Sequence, residues 1–150
     1  MGVTHVRAEV DIDRPPHDVF EFVSTPATWP RWHPSSIAVT GDAGHSLALG
    51  ESVVEEFSVA GRHGFATWRV VSRALDRRWS IEGRIDGQVR GVVTYSLTER
   101  PGGTHFVREF EYPSPTILFA IANVLVIHAR VVEESEKAVA NLKAVLVEAR

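Results

Sequence analysis

The sequence predicts an α+β fold in which a curved sheet of seven antiparallel strands wraps one long C-terminal helix, with two short helices after the first strand. Three observations carry this expectation. Up to Tyr112 most of the chain is a succession of β-rich runs, many of them joined by short turns containing Gly, Asp or Pro, and strands joined by such turns are antiparallel neighbours. Beyond Pro113-Ser114-Pro115 the rest of the chain holds neither Gly nor Pro, so one helix is expected from about 116 to 149. A single helix can cover so many strands only if the sheet curls around it.

The elements follow in order. Val6, Ala8, Val10 and Ile12 alternate with Arg7, Glu9, Asp11 and Asp13, the period of a strand with one face on the core. Pro15-Pro16 suits a helix start, because the missing donor of proline would be unpaired there anyway. Val19, Phe20, Phe22 and Val23 give that helix, about residues 16 to 24, its apolar face. Thr25-Pro26 ends it, and the proline-rich stretch Ala27 to Pro34 has room for a single helical turn. Further strands are expected at Ile37 to Thr40, Glu51 to Val59, Gly64 to Leu75, Trp79 to Ile85, Val89 to Thr98 and His105 to Tyr112. Asp86-Gly87 is the strongest hairpin signal among the turns. In the final helix Ile117, Ile121, Val124, His128, Val131, Ser135, Ala138, Leu142 and Val145 recur at three-and-four spacing, an apolar stripe with two polar interruptions.

Composition narrows the function. A chain of 150 residues suits one domain with a sizeable core. The formal charge of -3 comes from 16 Lys plus Arg interspersed with 19 Asp plus Glu, and basic clusters are only pairs such as Arg77 and Arg78. Neither nucleic acid nor an anionic membrane surface is an expected partner. With no Cys, disulfides, thiolate metal sites and Cys nucleophiles are excluded, which suits a cytoplasmic protein. The N-terminus lacks the basic and then apolar pattern of a signal peptide. The apolar run Ile117 to Ile127, which includes Asn123, is too short to span a bilayer, so no integral membrane segment is expected. His5, His17, His45, His63 and His105 show neither His-x-x-x-His spacing nor a cluster, so no metal is expected. Nucleophile-elbow, Walker-type and dinucleotide-binding glycine motifs are absent, and no cofactor is implied.

The element order, Pro15-Pro16-His17-Asp18-Val19-Phe20 after the first strand, the segment Trp29-Pro30-Arg31-Trp32-His33-Pro34 and the long final helix resemble the START-related polyketide cyclase and lipid-transfer superfamily over nearly the whole chain. The resemblance implies the helix-grip fold. That superfamily includes ligand carriers, aromatase/cyclases and partner-binding modules, and the fold does not select among them.

Alternation identifies side chains that face the space between sheet and helix. Arg108 shares a strand face with Phe106, Phe110 and Tyr112, and Glu55 shares one with Val53, Phe57 and Val59. A charge among apolar neighbours is costly unless answered, so the pair reads either as a ligand anchor, with Glu55 as partner or base, or as a buried structural ion pair. Tyr95, on a face with Val89, Gly91, Val93 and Leu97, needs a partner for its hydroxyl. Trp68 and Trp79 are wall or core. Trp29 and Trp32 are either a lid over the pocket mouth or packed core. His33 lies beside that lid, and His128, on the helix stripe, reads as a satisfied core histidine or as a ligand contact. Two functions follow: binding or transport of an apolar or amphipathic small molecule (a lipid, polyketide or aromatic compound), or polyketide aromatase/cyclase-type catalysis in the same cavity. The apolar part of the last helix, Ile117 to Val132, could also seat a homodimer.

Overall fold

The computed structural model describes residues 3–59, 61–113 and 121–148, with side chains described for all of these except 121–127 and 148. The elements are β1 (Val3–Ile12), α1 (Pro16–Val23), a 3₁₀ segment (Pro26–Arg31), β2 (Ser36–Thr40), β3 (Ser52–Val59), β4 (Arg62–Ala74), β5 (Arg78–Ile85), β6 (Gln88–Arg100), β7 (Gly103–Pro113) and α2 (Ile121–Glu148). Every expected element is present within a few residues of its expected bounds. The first turn expected for the long helix, 116 to 120, lies outside the described residues, as do the side chains of Ile117 to Ile127 on which a dimer seam would rest.

All seven strands form one antiparallel sheet in the order β1-β7-β6-β5-β4-β3-β2. Strands β3 to β7 form a meander through turns of two or three residues, and β2 joins it by pairing with β3 across the longer 41–51 connection. At the Asp86-Gly87 turn both residues have positive φ, 52° and 76°, the backbone that lets a two-residue hairpin match strand twist. β1 closes the far side by pairing with β7, from Val3 opposite Pro113 to Ile12 opposite Thr104.

α1 and the 3₁₀ segment plug one end of the curl. Val19, Phe20 and Val23 face inward, and the Ser24 hydroxyl donates to the Phe20 carbonyl at 2.6 Å. Trp29 and Trp79 are buried and meet edge to face, with centroids 6.3 Å apart. Their indole N–H groups donate to the carbonyls of Val23 at 3.0 Å and Leu47 at 3.1 Å. From the other side α2 packs Ala138, Leu142 and Leu146 into the same core. Asn141 donates to the Trp32 carbonyl, which ties helix to plug.

One departure from regular alternation matters for the site. Gly83 pairs with Gly91 but Arg84 pairs with Val89, so Arg90 is an extra residue in β6. Val89, expected on the inner face with Tyr95, is therefore 39% exposed, and Arg90, itself exposed, borders the cavity. Period-two reading assumes a constant register, and the bulge breaks it.

Candidate functional site

Between the sheet and α2, bordered by Trp29 of the plug, lies a cavity of about 180 Å³. Its walls are mainly apolar: Phe57, Val59, Trp68, Ile81, Val93 and Phe110 from the sheet, and Val131 from α2. Glycine makes this room. Gly83 sits opposite Trp68 in the register, and a Cβ there would lie 2.6 Å from the indole. A Cβ on Gly91 would collide with the Phe110 ring. Two aromatic rings thus lie against bare backbone.

Set in this wall is a polar group centred on Arg108. The side chain is 6% exposed, and Nη1 donates to Ser135 Oγ on α2 at 3.0 Å. Its Nε is fully buried and has no partner among the described residues. No ion pair answers the guanidinium among the described residues, and its Cζ lies 5.7 Å from the centroid of Phe110. Glu55 is buried too, and its Oε1 accepts from Trp68 Nε1 at 3.0 Å. Burial pushes its carboxyl above the ordinary value, against the opposing influence of Ser36, Trp68 and Arg108. Tyr95, stacked on Trp79 at 5.5 Å, has its phenol pushed up to about 12 by burial and remains a proton donor at neutral pH. Glu134 of α2 also lines the cavity, and desolvation raises it.

His33 and Ser35 complete the polar wall. Ser35 Oγ lies 2.8 Å from His33 Nδ1, and the Ser35 backbone N–H donates to the same nitrogen at 3.4 Å. Burial, and then the nearby Arg108 charge, hold the imidazole well below its usual value, so it is neutral at physiological pH. Sequence reasoning found no hydroxyl paired with a base, and this pair supplies the arrangement but not the chemistry. The imidazole is a weakened base, and no described carboxylate orients its other nitrogen.

Of the residues singled out from sequence, the cavity gathers Arg108, Glu55, Tyr95, His33, Phe57, Trp68 and Phe110. Trp32, Tyr112 and His128 do not line it. Trp32 is packed into the core at 1% exposure, while Tyr112 and His128 meet each other, hydroxyl to Nδ1, at 3.4 Å. Alternation gives the face of a strand but not the distance along it, which is where Tyr112 misses; Trp32 sits behind His33 and Tyr95 at the end of the 3₁₀ segment, and His128 is on α2. Trp29 does line it, from the floor, so packed core and pocket wall are one surface there. Arg90, Ser35, Glu134 and Ser135 were missed. Only Ser135, on the helix stripe, carried a signal.

The structure also assembles a surface cluster that sequence spacing did not suggest, Asp42, His45 and Glu51, with ligand-type atoms within 4.8 Å of one another. Its geometry is that of a loop brace. His45 Nε2 meets both Glu51 oxygens at 3.1 Å, and the Ala48 N–H donates to Glu51 at 2.6 Å. The Ala48 N–H and then His45 hold Glu51 below the usual carboxylate range.

Residues 3–147 match the family model described as polyketide cyclase/dehydrase and lipid transport. No curated protein matches the sequence. Solved structures resemble the fold closely at low identity. The Zhui aromatase/cyclase from a Streptomyces species superposes with a TM-score of 0.75 at 14% identity, covering 95% of this chain and 93% of that one. A Rhodobacter sphaeroides protein gives 0.71 at 20% identity, covering 98% and 95%. Protein Ms6760 from Mycobacterium smegmatis gives 0.70 at 18% identity, covering 100% and 99%. Among the described residues no helix is long and apolar enough to cross a membrane.

Proposed function

Because the chain belongs to the polyketide cyclase/dehydrase and lipid transport family, we propose that it binds or carries an apolar or amphipathic small molecule in the cavity, with Arg108 as the polar anchor. One observation carries this reading: a buried guanidinium lines an apolar hollow with Nε unpartnered among the described residues. A buried charge without an ion-pair partner is costly on general grounds, and the bonds of Arg108 to Ser135 and Tyr95 leave its Nε donor for a guest to meet. A guest with an oxygen acceptor would satisfy Arg108 while its apolar body displaces water from Trp68, Phe57 and Phe110.

A second reading, aromatase/cyclase-type catalysis, draws on Tyr95. Its protonated phenol beside Arg108 could stabilise an enolate formed in a folded chain. Binding is the simpler account, because the imidazole beside the Ser35 hydroxyl is a weakened base and no carboxylate among the described residues orients it.

Native mass spectrometry of protein purified from its own host tests the proposal. A copurified small molecule is expected on the wild type and should be lost from Arg108→Met, a variant of similar shape without the charge. A wild type that carries nothing, or an Arg108→Met protein that retains the molecule undiminished, would overturn it.

A further inference from the structure

We infer that the cavity selects compact aromatic acids, holding their oxyanion between the Arg108 guanidinium and an N–H donated by Nε2 of a neutral His33. The inference rests on the binding reading above and goes further by naming the chemical class and the second arm of the grip.

The tautomer of His33 is the starting point. A backbone N–H can only donate, so the contact from Ser35 N–H makes His33 Nδ1 an acceptor. The Ser35 hydroxyl, at 2.8 Å from the same nitrogen, donates there as well. A neutral ring with an acceptor at Nδ1 carries its proton on Nε2. Nε2 has no partner among the described residues, and His33 lines the cavity. The imidazole therefore offers the hollow a donor. Ser35 is a positioning residue: it fixes which nitrogen holds the proton.

Arg108 faces the same space from β7, donor-only and always charged. Tyr95, from β6, adds a hydroxyl that stays protonated. Three groups on three segments line one cavity, with the Tyr95 oxygen accepting from Arg108, and an oxygen acceptor of high charge density suits the donors they leave free. The carboxylates facing this space do not reverse the preference. Glu55, on β3, is engaged by Trp68, and burial moves both it and Glu134 of α2 toward the neutral form. Arg90, on β6, adds a second positive charge to the lining.

Volume sets the rest of the class. An apolar cavity of roughly 150 Å³ takes up benzene. At about 180 Å³, with Trp68, Phe57 and Phe110 as walls, this one suits one ring or two small fused rings.

Calorimetric titration with 2-naphthoate, its neutral isostere 2-naphthamide and the cation 2-naphthylmethylamine reads the charge preference. The acid should bind at least about tenfold more tightly than the amide, and His33→Phe should remove about tenfold from the acid while changing the amide little. Equal affinity for acid and amide, or tighter binding of the amine, would overturn this inference and leave the binding reading standing. Binding of none of the three, together with the absence of a copurified molecule, would sink both. Long-range ¹H–¹⁵N NMR of wild-type His33 needs no variant: a neutral ring protonated on Nε2 is expected, and a proton on Nδ1 would refute the proposed arm.

Discussion

Where α1 and the 3₁₀ segment close the sheet, Trp29, Trp79 and Phe106 fill the interior solid, whereas toward the Asp86 turn the same sheet encloses a void walled by Trp68, Phe57 and Phe110. At the filled end the indole N–H groups of Trp29 and Trp79 each have a backbone carbonyl. At the hollow end the Arg108 Nε has no partner among the described residues, and Gly83 and Gly91 withhold the side chains that would fill the space. One sheet thus divides its labour along the strands: one end holds the fold, and the other gives up packing to leave room and an unanswered charge.

Equivalent truncations should therefore cost unequal amounts. Trp79→Ala, in the filled end, is expected to lose about 3–5 kcal/mol in denaturant unfolding, the usual cost of removing a fully enclosed indole. Phe57→Ala, bordering space that already exists, should lose far less. Similar losses for the two would erase the distinction between the ends.

Glycine substitutions sharpen it. A Cβ on Gly103 would strike the Ile12 carbonyl, backbone against backbone where β1 meets β7, and Gly103→Ala should cost about 1–3 kcal/mol or more. Gly83→Ala meets only the Trp68 indole, which has the cavity to move into. Its melting temperature should fall less than that of Gly103→Ala, at the expense of cavity volume and of the Trp68 contact to Glu55.

Arg108→Met separates binding from stability. Replacing a buried charge by an apolar side chain of similar volume is often neutral or stabilising by about 1–4 kcal/mol. The empty variant is expected to melt no lower than wild type, and a large drop would make Arg108 a structural residue.

The smallest effects are expected with pH. A hydrogen bond to Asp76 raises His17 above its ordinary value, and one to Glu51 raises His45. Raised folded values mean that these pairs stabilise fully below about pH 6.5 and lose their contribution as pH climbs through the raised values. His33 has the opposite sign: its folded value is depressed, so its contribution is full above about pH 6.5 and declines as pH falls below that. In melts from about pH 5 to 8, His33→Phe should flatten the acid-side loss and the double variant His17→Gln, His45→Gln should steepen it.

The architecture was legible because its signals are local. Tight turns set the strand order, and the absence of Gly and Pro beyond Pro115 set the long helix. Arg108 and Glu55 were legible because alternation survives along β7 and β3. Arg90 was not, because one extra residue in β6 reverses the faces beyond it. Trp32, Tyr112 and His128 share a face or segment with site residues yet lie outside the hollow, whose extent depends on where glycine replaces larger side chains in three dimensions. The orientation of His33 needed coordinates as well, since the Ser35 contacts that fix its proton depend on a turn the sequence does not specify.

A crystal structure of the wild type soaked with 2-naphthoate tests the division most directly. The rings are expected among Trp68, Phe57 and Phe110, with the carboxylate within hydrogen-bond distance of Arg108. Density for the probe only on the exterior, or a hollow closed by its own aromatic side chains, would contradict it.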